Sequence, residues 1–509
     1  MFLSLRFLNK TGRRYLSSST YNIISKTIGD RKENIMLGYQ HNFSLLNKGF
    51  EGIKQIGIIG WGSQGPSQAL NIYDSLKCAQ SDIKIRIGLR KESKSIQKVL
   101  DTGVFNEEDI GEIEEVLNES DMNLILISDK AQVENYRMIF DNIKPGSTLG
   151  FSHGFLQGHL DNVNEKFPDG VNVIMMAPKG MGPSLRKQYL CGGGINSSVA
   201  IENDINNKAT DYALSWALAV GSPTVFETTF RSEYISDLFG ERAILLGGIY
   251  GMVEYLFGEY SKIYNIEKSF LNSVATLTGP ISDYISNHGF LKLYMNMSPG
   301  DKSQFIRYYL KSYEISKEVF EEIYREVESR NEIRSVILNS DYNIGRIDKS
   351  RMWVIGNKIY KNRERNNDEL KNFNSTKFNK NENTKEFDKN LTSNIYPQTA
   401  GMYIGAMMAQ VDILLDKGHS YSEIVNESII EATDSLNPYM NDKGISHMID
   451  NCSTTARLGA RKWAPRLEYA FRQNMDFTLC KNDFNLNDFD HFLNHKIHNV
   501  ITDIYDLKN

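Results

Sequence analysis

Two stretches of the chain carry three carboxylates each at four-residue spacing: Glu233, Asp237 and Glu241 in the first, Glu423, Glu427 and Glu431 in the second. On a helix, side chains four apart share a face, so each set forms an acidic stripe. Like charges at that spacing cost a few tenths of a kcal/mol when exposed and far more when buried. Leu238, Phe239, Ile430 and Ala432 put the stripes beside apolar neighbours, where a counter-charge is needed. A hard divalent cation held by oxygen ligands, such as Mg2+, supplies one. For either stripe alone a solvated helix face is the plain alternative, and spacing does not say which carboxylates of a triplet would be ligands.

A second constellation lies upstream. An apolar run, Ile56 to Ile59, leads into Gly60-Trp61-Gly62-Ser63-Gln64-Gly65, and Ser67 to Leu76 reads as a helix. Gly60 permits a tight turn, Gly62 lets the backbone approach a pyrophosphate, and Gly65 lets the helix pack on the strand. The helix start then offers free N–H groups to phosphates. The next strand ends in Arg90-Lys91-Glu92-Ser93-Lys94-Ser95, where an NAD-binding protein would usually carry an acid for the ribose 2′-hydroxyl. Cations and hydroxyls there suit a 2′-phosphate, so the expected cofactor is NADPH. Ser152-His153-Gly154 and Pro178-Lys179-Gly180 each follow an expected strand, at the edge where ligands of such sheets bind. His153 can move a proton near neutral pH and Lys179 can neutralise developing negative charge, with a structural turn role as the alternative for each.

Positioning these groups takes two kinds of structure. From Lys54 to Thr228 short apolar runs at 56–59, 83–89, 123–127, 147–151 and 172–176 alternate with helical stretches, which predicts a parallel sheet wrapped by helices on both faces. Beyond Phe230 long amphipathic patterns at 233–257 and 403–417 take over, and the second region reads as all-helical. Residues 358–393 are rich in Asn, Lys and Glu and predict a disordered insertion. The first 29 residues hold Arg6, Lys10, Arg13, Arg14, Lys26 and a cluster Ser17–Ser19 but no acid, the pattern of a mitochondrial or plastid transit peptide. The domains expected are therefore a transit peptide at 1–32, an α/β nucleotide-binding domain at 33–228, and helical halves at 229–357 and 394–509 flanking the insertion. A net charge of −5 gives no hint of a nucleic-acid partner, and no apolar run is long enough for a membrane span. The four cysteines show neither zinc nor disulfide spacing. His491, His495 and His498 have a metal-like spacing but lie in a polar tail, and read as a solvated helix end.

Taken together, GWGSQGPSQA (60–69), GLRKESKS (88–95), FSHGFLQGHL (151–160), PKGMGPS (178–184), SDLFGERAILLGG (236–248), GHSYSEIVNESIIEATDSLNP (418–438) and DNCSTTARLGARKWAPR (450–466) closely resemble ketol-acid reductoisomerase in its long, plant-type form. The resemblance implies a Rossmann-like NADP-binding domain followed by a helical, knotted C-terminal domain in two related halves. It implies a Mg2+-dependent alkyl shift of acetolactate, or of its acetohydroxybutyrate homologue, followed by NADPH reduction to a dihydroxy acid on the route to valine and isoleucine. It also implies small-molecule substrates, two Mg2+ ions and a homodimer.

Carried over by position, the resemblance makes Asp237, Glu241, Glu427 and Glu431 the metal ligands and leaves Glu233 and Glu423 to outer or surface roles. His153 and Lys179 match the active-site histidine and lysine, Ser453 the substrate-contacting serine, and Glu431 or Glu241 a candidate base. Arg90, Ser93 and Ser95 match the 2′-phosphate contacts, Gly60 to Gly65 the pyrophosphate turn, and Ser128, Gln132 and Gly182 further cofactor positions. The chain departs from the pattern at Ala177, where a cysteine is common, in a shorter loop after Leu190, and in the longer insertion. Two other readings compete: a metal-free NADPH-dependent hydroxyacid dehydrogenase, indifferent to chelators, and a non-catalytic NADPH-binding protein whose stripes are solvated.

Overall fold

Strand β3, Gln55–Ile59, shows how the first region is built: Ile56 and Ile58 join one apolar cluster and Ile59 another. The same alternation recurs in β6, Met122–Ile125, and β8, Asn172–Pro178, whose successive side chains enter the two clusters in turn. A strand buried on both faces must bury every residue, which is why these runs are mostly apolar, and why the buried Asn123 and Asn172 donate to the Leu117 carbonyl oxygen and Thr148 Oγ1. Helices Gly65–Cys78 and Ala209–Ala219 cover one face, and Ile113–Glu119, Asp129–Asn142 and Phe155–Val163 the other.

The computed structural model describes residues 16–38, 40–340, 395–477 and 486–508, with isolated positions between 352 and 358. Nearly all of the expected insertion at 358–393 lies outside the described residues, as do residues 1–15. The chain forms two compact units: Met1–Ile235 with Ser420–Glu423 and Asp503–Asn509, and Ser236–His419 with Ile424–Thr502.

The first unit holds a ten-stranded sheet in the order β1-β2-β10-β9-β8-β7-β6-β3-β4-β5. Strands β3 to β8, which include β4 (Lys84–Leu89), β5 (Ile110–Glu112) and β7 (Thr148–Phe151), pair in parallel. The parallel sheet expected from the five apolar runs is present, and the strands beyond β8 make the full sheet mixed. Strand β9, Ser197–Asn203, runs antiparallel to β8, and β10, Thr224–Glu227, pairs parallel to β9. The outer edge is a hairpin of β1, Ile23–Ile28, and β2, Arg31–Leu37, with β2 antiparallel to β10.

That hairpin moves the expected domain start. Residues 23–32, assigned from composition to the transit peptide, are sheet: Ile28 and Ile35 are buried, and Gly29 at φ 58 turns the chain between the strands. The serine cluster is structural as well, since Ser18 and Ser19 hydrogen-bond to Asp211 and Tyr21 shares a 2.7 Å bond with Ser215.

The second unit contains no strand among its described residues. Its long helices are Pro299–Glu328 and Pro397–Asp416, which cross closely enough that a Cβ on Gly401 would lie 2.4 Å from the Phe305 carbonyl oxygen. The expected continuous helix at 233–257 is interrupted. Helix Phe230–Gly240 passes into a π-helical segment, Glu241–Gly248, with a non-helical Ala243 (φ −84, ψ −118), before Ile249–Tyr260 resumes. A second π-helical segment, Asn426–Leu436, carries the other stripe. Widened turns of this kind cost regular hydrogen bonding and recur at functional sites.

Of the three tail histidines only His491 is exposed, and the other two are packed. Phe489, Phe492, Ile497 and Val500 are buried, His495 Nε2 lies 3.0 Å from Asp412, and His498 bonds the Phe492 carbonyl oxygen.

Candidate active site

The glycine turn has the conformation its sequence demands. Gly60 sits at φ +104, where a Cβ would also meet Ile127 at 2.7 Å, and a Cβ on Gly65 would meet the Gly60 carbonyl oxygen at 2.6 Å. Gly62 and Ser63 between them are exposed, so their backbone is open to a ligand. Trp61 is buried edge-on against Phe105. Gln64 precedes helix Gly65–Cys78, whose first turn carries no acid, leaving its dipole free for an anion. Gly182 supports this loop by contact: its Cβ position falls 1.9 Å from the Ser63 carbonyl oxygen, so only glycine fits there. Gln64 Nε2 bonds the Gly180 carbonyl oxygen at 3.1 Å, tying the same two loops together.

Arg90 stands exposed at the end of β4 and, among the described residues, joins no ion pair, while Ser93 caps the loop by accepting the Ser95 N–H. An arginine held in no ion pair beside two serines is a suitable receiver for a phosphate. Ser128 caps helix Asp129–Asn142, accepting the Ala131 N–H. Gln132 is buried and donates to the Ile127 carbonyl oxygen, yet its own Oε1 has no hydrogen-bond partner among the described residues. An orphaned acceptor of this kind fits a missing donor from a bound ligand.

His153 and Lys179 come together through a residue that spacing alone undervalued. Lys179 is 2% exposed and Glu233 is 1% exposed, and their charged groups meet at 3.1 Å. Glu233 also accepts the Gly154 N–H at 2.7 Å and lies 4.0 Å from His153 Nε2, while His153 Nδ1 is 3.6 Å from Asp129. Of the outer or surface roles left open for Glu233, the structure shows a buried one: it meets the Lys179 ammonium and accepts the Gly154 N–H of the histidine loop. Ser152 supports that loop from behind, bonded to Gln68 and to the Met176 carbonyl oxygen. Glu423 is buried too, accepting Thr228 Oγ1 and Ser232 Oγ. Pairing of Lys179 with a carboxylate was the signal to seek, since a buried ammonium needs one.

In the second unit Asp237, Glu427 and Glu431 each place a carboxylate oxygen within 4.8 Å of the others, and Glu427 is 0% exposed. Three ionised groups that close repel by about 3.5 kcal/mol per pair at an effective dielectric near 20. An all-oxygen donor set with that much negative charge fits a hard divalent cation. Glu241 is not one of this trio; burial, and then the charges of Glu241 and Glu431, push the Cys452 thiol well above its ordinary range. Gln410 braces the floor: its Nε2 donates to the Glu427 carbonyl oxygen and Ser428 Oγ, and its Oε1 accepts the Ile244 N–H, linking both π-helical segments. Ser453 is exposed and caps helix Thr454–Asn474, accepting the Ala456 N–H at 3.0 Å. Cys78, Cys191 and Cys452 are free thiols, so no described cysteine is in a disulfide.

Comparison with known proteins gives these groups a family. Residues 52–225 match the acetohydroxy acid isomeroreductase NADPH-binding domain, and residues 230–365 and 398–481 match the ketol-acid reductoisomerase C-terminal domain, a match that steps over most of the Asn-rich insertion. The chloroplastic ketol-acid reductoisomerase of Spinacia oleracea is 44% identical over 474 residues, spanning 90% of this chain and 76% of the relative. A mitochondrial counterpart from Neurospora crassa is 35% identical over 238 residues, 46% of this chain and 57% of its own. Among solved structures, an NADH-preferring ketol-acid reductoisomerase from an uncultured archaeon has a TM-score of 0.55 at 25% identity, over 64% of this chain and 98% of that one. With an NADPH-binding α/β unit, a helical unit and both family halves matched in order, the chain belongs to the ketol-acid reductoisomerase family and is of plant type.

Proposed function

We propose that the enzyme isomerises 2-acetolactate or 2-aceto-2-hydroxybutyrate by a Mg2+-dependent alkyl shift and reduces the product with NADPH to a 2,3-dihydroxy acid. The observation that carries this reading is the carboxylate trio Asp237, Glu427 and Glu431, with ligand oxygens within 4.8 Å of one another. Asp237, Glu241, Glu427 and Glu431 would hold two Mg2+ ions. Bound there, the cations supply Lewis-acid polarisation of the substrate carbonyl and stabilise the charge that develops on its oxygen in both steps.

The remaining work falls to the chain's own groups. The exposed backbone of Gly62 and Ser63, with the N-terminus of helix Gly65–Cys78, receives the pyrophosphate, and Arg90, Ser93 and Ser95 receive the 2′-phosphate. Gln132 offers its buried Oε1 to a cofactor donor, beside Ser128. Lys179, met by the Glu233 carboxylate at 3.1 Å, is placed to steady negative charge on the substrate. His153, between Asp129 and Glu233, is placed to relay a proton. Glu431 takes the role of base and Ser453 contacts substrate. The knotted thread of the helical unit, a homodimer, and delivery to a plastid or mitochondrion complete the proposal. Named relatives from both organelles support that delivery.

The test is NADPH consumption with acetolactate on full-length protein. Turnover that is abolished by a chelator and restored by Mg2+ supports the reading, whereas turnover indifferent to the chelator supports the metal-free dehydrogenase instead.

A further inference from the structure

Arg242 follows a proposed metal ligand directly and is 0% exposed, among the largest fully buried side chains in the molecule. A guanidinium charge at that depth must be met by partners. Nε donates to Glu332 Oε2 at 2.6 Å, and Nη1 donates to the Leu238 carbonyl oxygen at 3.1 Å and to Glu241 Oε2 at 3.2 Å. Glu332, itself 1% exposed, takes Lys462 Nζ and Trp463 Nε1 on its other oxygen. The result is a charge chain, Lys462–Glu332–Arg242–Glu241, with alternating signs and no net charge.

Neighbouring residues on a regular helix point about 100° apart and do not face each other. Here they meet because the helix opens into its π-helical segment at Glu241 and departs from helical backbone at Ala243. A further constraint seals the arrangement: a Cβ on Gly459 would sit 2.7 Å from Arg242 Cζ and 2.9 Å from Cγ, so the helix Thr454–Asn474 lies flat against the side chain. Arg242 therefore has one place to be. Its fork is held at Nε by Glu332, and Nη1 is aimed at one oxygen of Glu241.

We propose that Arg242 is a positioning residue for divalent-cation binding. Clamped by Glu332, it occupies Glu241 Oε2 and turns Oε1 towards the cation. The inference rests on the reading of Glu241 as a metal ligand. Outer groups that orient a ligand typically account for about 10- to 100-fold in metal affinity.

The experiment is calorimetric titration of the chelator-treated full-length chain with Mg2+, alongside the Mg2+ concentration giving half-maximal turnover. Arg242→Met alone leaves Glu332 buried against Lys462 and can fail to fold. Arg242→Met/Glu332→Met removes the buried pair together, a replacement that buried ion pairs often tolerate. The double variant is expected to show a native circular-dichroism spectrum and Mg2+ affinity weakened by about 10- to 100-fold. Its half-maximal Mg2+ concentration should rise in step while kcat at saturating Mg2+ is largely kept, and Arg242→Lys should recover affinity only in part. A folded double variant binding Mg2+ within twofold of the parent overturns the positioning role. Glu241→Gln separates the two claims: unchanged Mg2+ affinity in that variant shows that Glu241 is not a ligand, and the underlying reading then fails as well.

Discussion

Replacing Glu427 by Gln removes one charge from the acidic trio while keeping nearly the same volume. Glu427 is fully buried and shares the 4.8 Å neighbourhood with Asp237 and Glu431, so the substitution cancels two of three repulsive pairs. At about 3.5 kcal/mol each, the gross relief without metal is about 7 kcal/mol. The real gain is smaller, because a strained carboxylate can take up a proton, which bounds the relief near 3–4 kcal/mol at pH 7. Relaxation lowers it further, and a gain of about 1–3 kcal/mol corresponds to roughly 2–10 °C for a unit of this size. Glu427→Gln should thus melt higher than the parent in a chelating buffer, gain little from added Mg2+, and lose isomerisation. Scanning fluorimetry or calorimetry with chelator and with Mg2+ reads all the stability changes. A variant that melts lower in chelator, and is raised by Mg2+ as much as the parent, refutes the reasoning: the trio would then be neither strained nor metal-binding.

Four other outcomes are expected. Arg90→Asp should lower kcat/KM for NADPH by about 10- to 100-fold, the worth of one or two charge-assisted bonds, and improve the NADH to NADPH ratio; steady-state kinetics with both cofactors checks it. Glu233→Gln removes the buried carboxylate that meets Lys179 at 3.1 Å and accepts the Gly154 N–H, so kcat should fall steeply while the protein stays folded; steady-state kinetics beside circular dichroism checks it. Burial alone would raise the Glu332 carboxyl, but the Arg242 charge and the bonds from Lys462 and Arg242 outweigh it and hold it below its ordinary 4.5. Its stabilisation is therefore complete above that value and lost as pH falls through the lower, folded one, so an acid-melting series should be flatter for Glu332→Gln in this window. Deletion through Asp30 removes β1 and the buried Ile28, so the melting temperature should fall, at a cost of about 2 kcal/mol or more.

Much of this arrangement was legible before any coordinates. The five mainly apolar runs between 56 and 176 form parallel strands because a sheet covered on both faces favours apolar side chains at most positions, and Gly60, Gly62 and Gly65 sit where the turn requires them. Other parts were hidden for physical reasons. Basic and serine-rich composition disguised the β1–β2 hairpin as leader, although Gly29-Asp30 between β-branched runs is a turn signal. Strand β9 is antiparallel, a choice that apolar patterning cannot express. Four-residue spacing marks the stripes but not their depth, so it leaves outer and surface roles open for Glu233 and Glu423, and both are buried with dedicated partners. The π-helical opening at Glu241, which lets Arg242 reach its neighbour, has no signature in spacing. The packed part of the histidine tail was missed because the tail's polar residues outnumber the few aromatics, Phe489 and Phe492, that anchor it.

Crystals grown with Mn2+ in place of Mg2+, examined by anomalous scattering, interrogate the acidic trio most directly. An anomalous peak about 2.0–2.3 Å from oxygens of Asp237, Glu427 and Glu431, with Glu241 contributing a single oxygen, is the expected result. Density with no anomalous peak among these carboxylates, at Mn2+ concentrations that support turnover, contradicts the account.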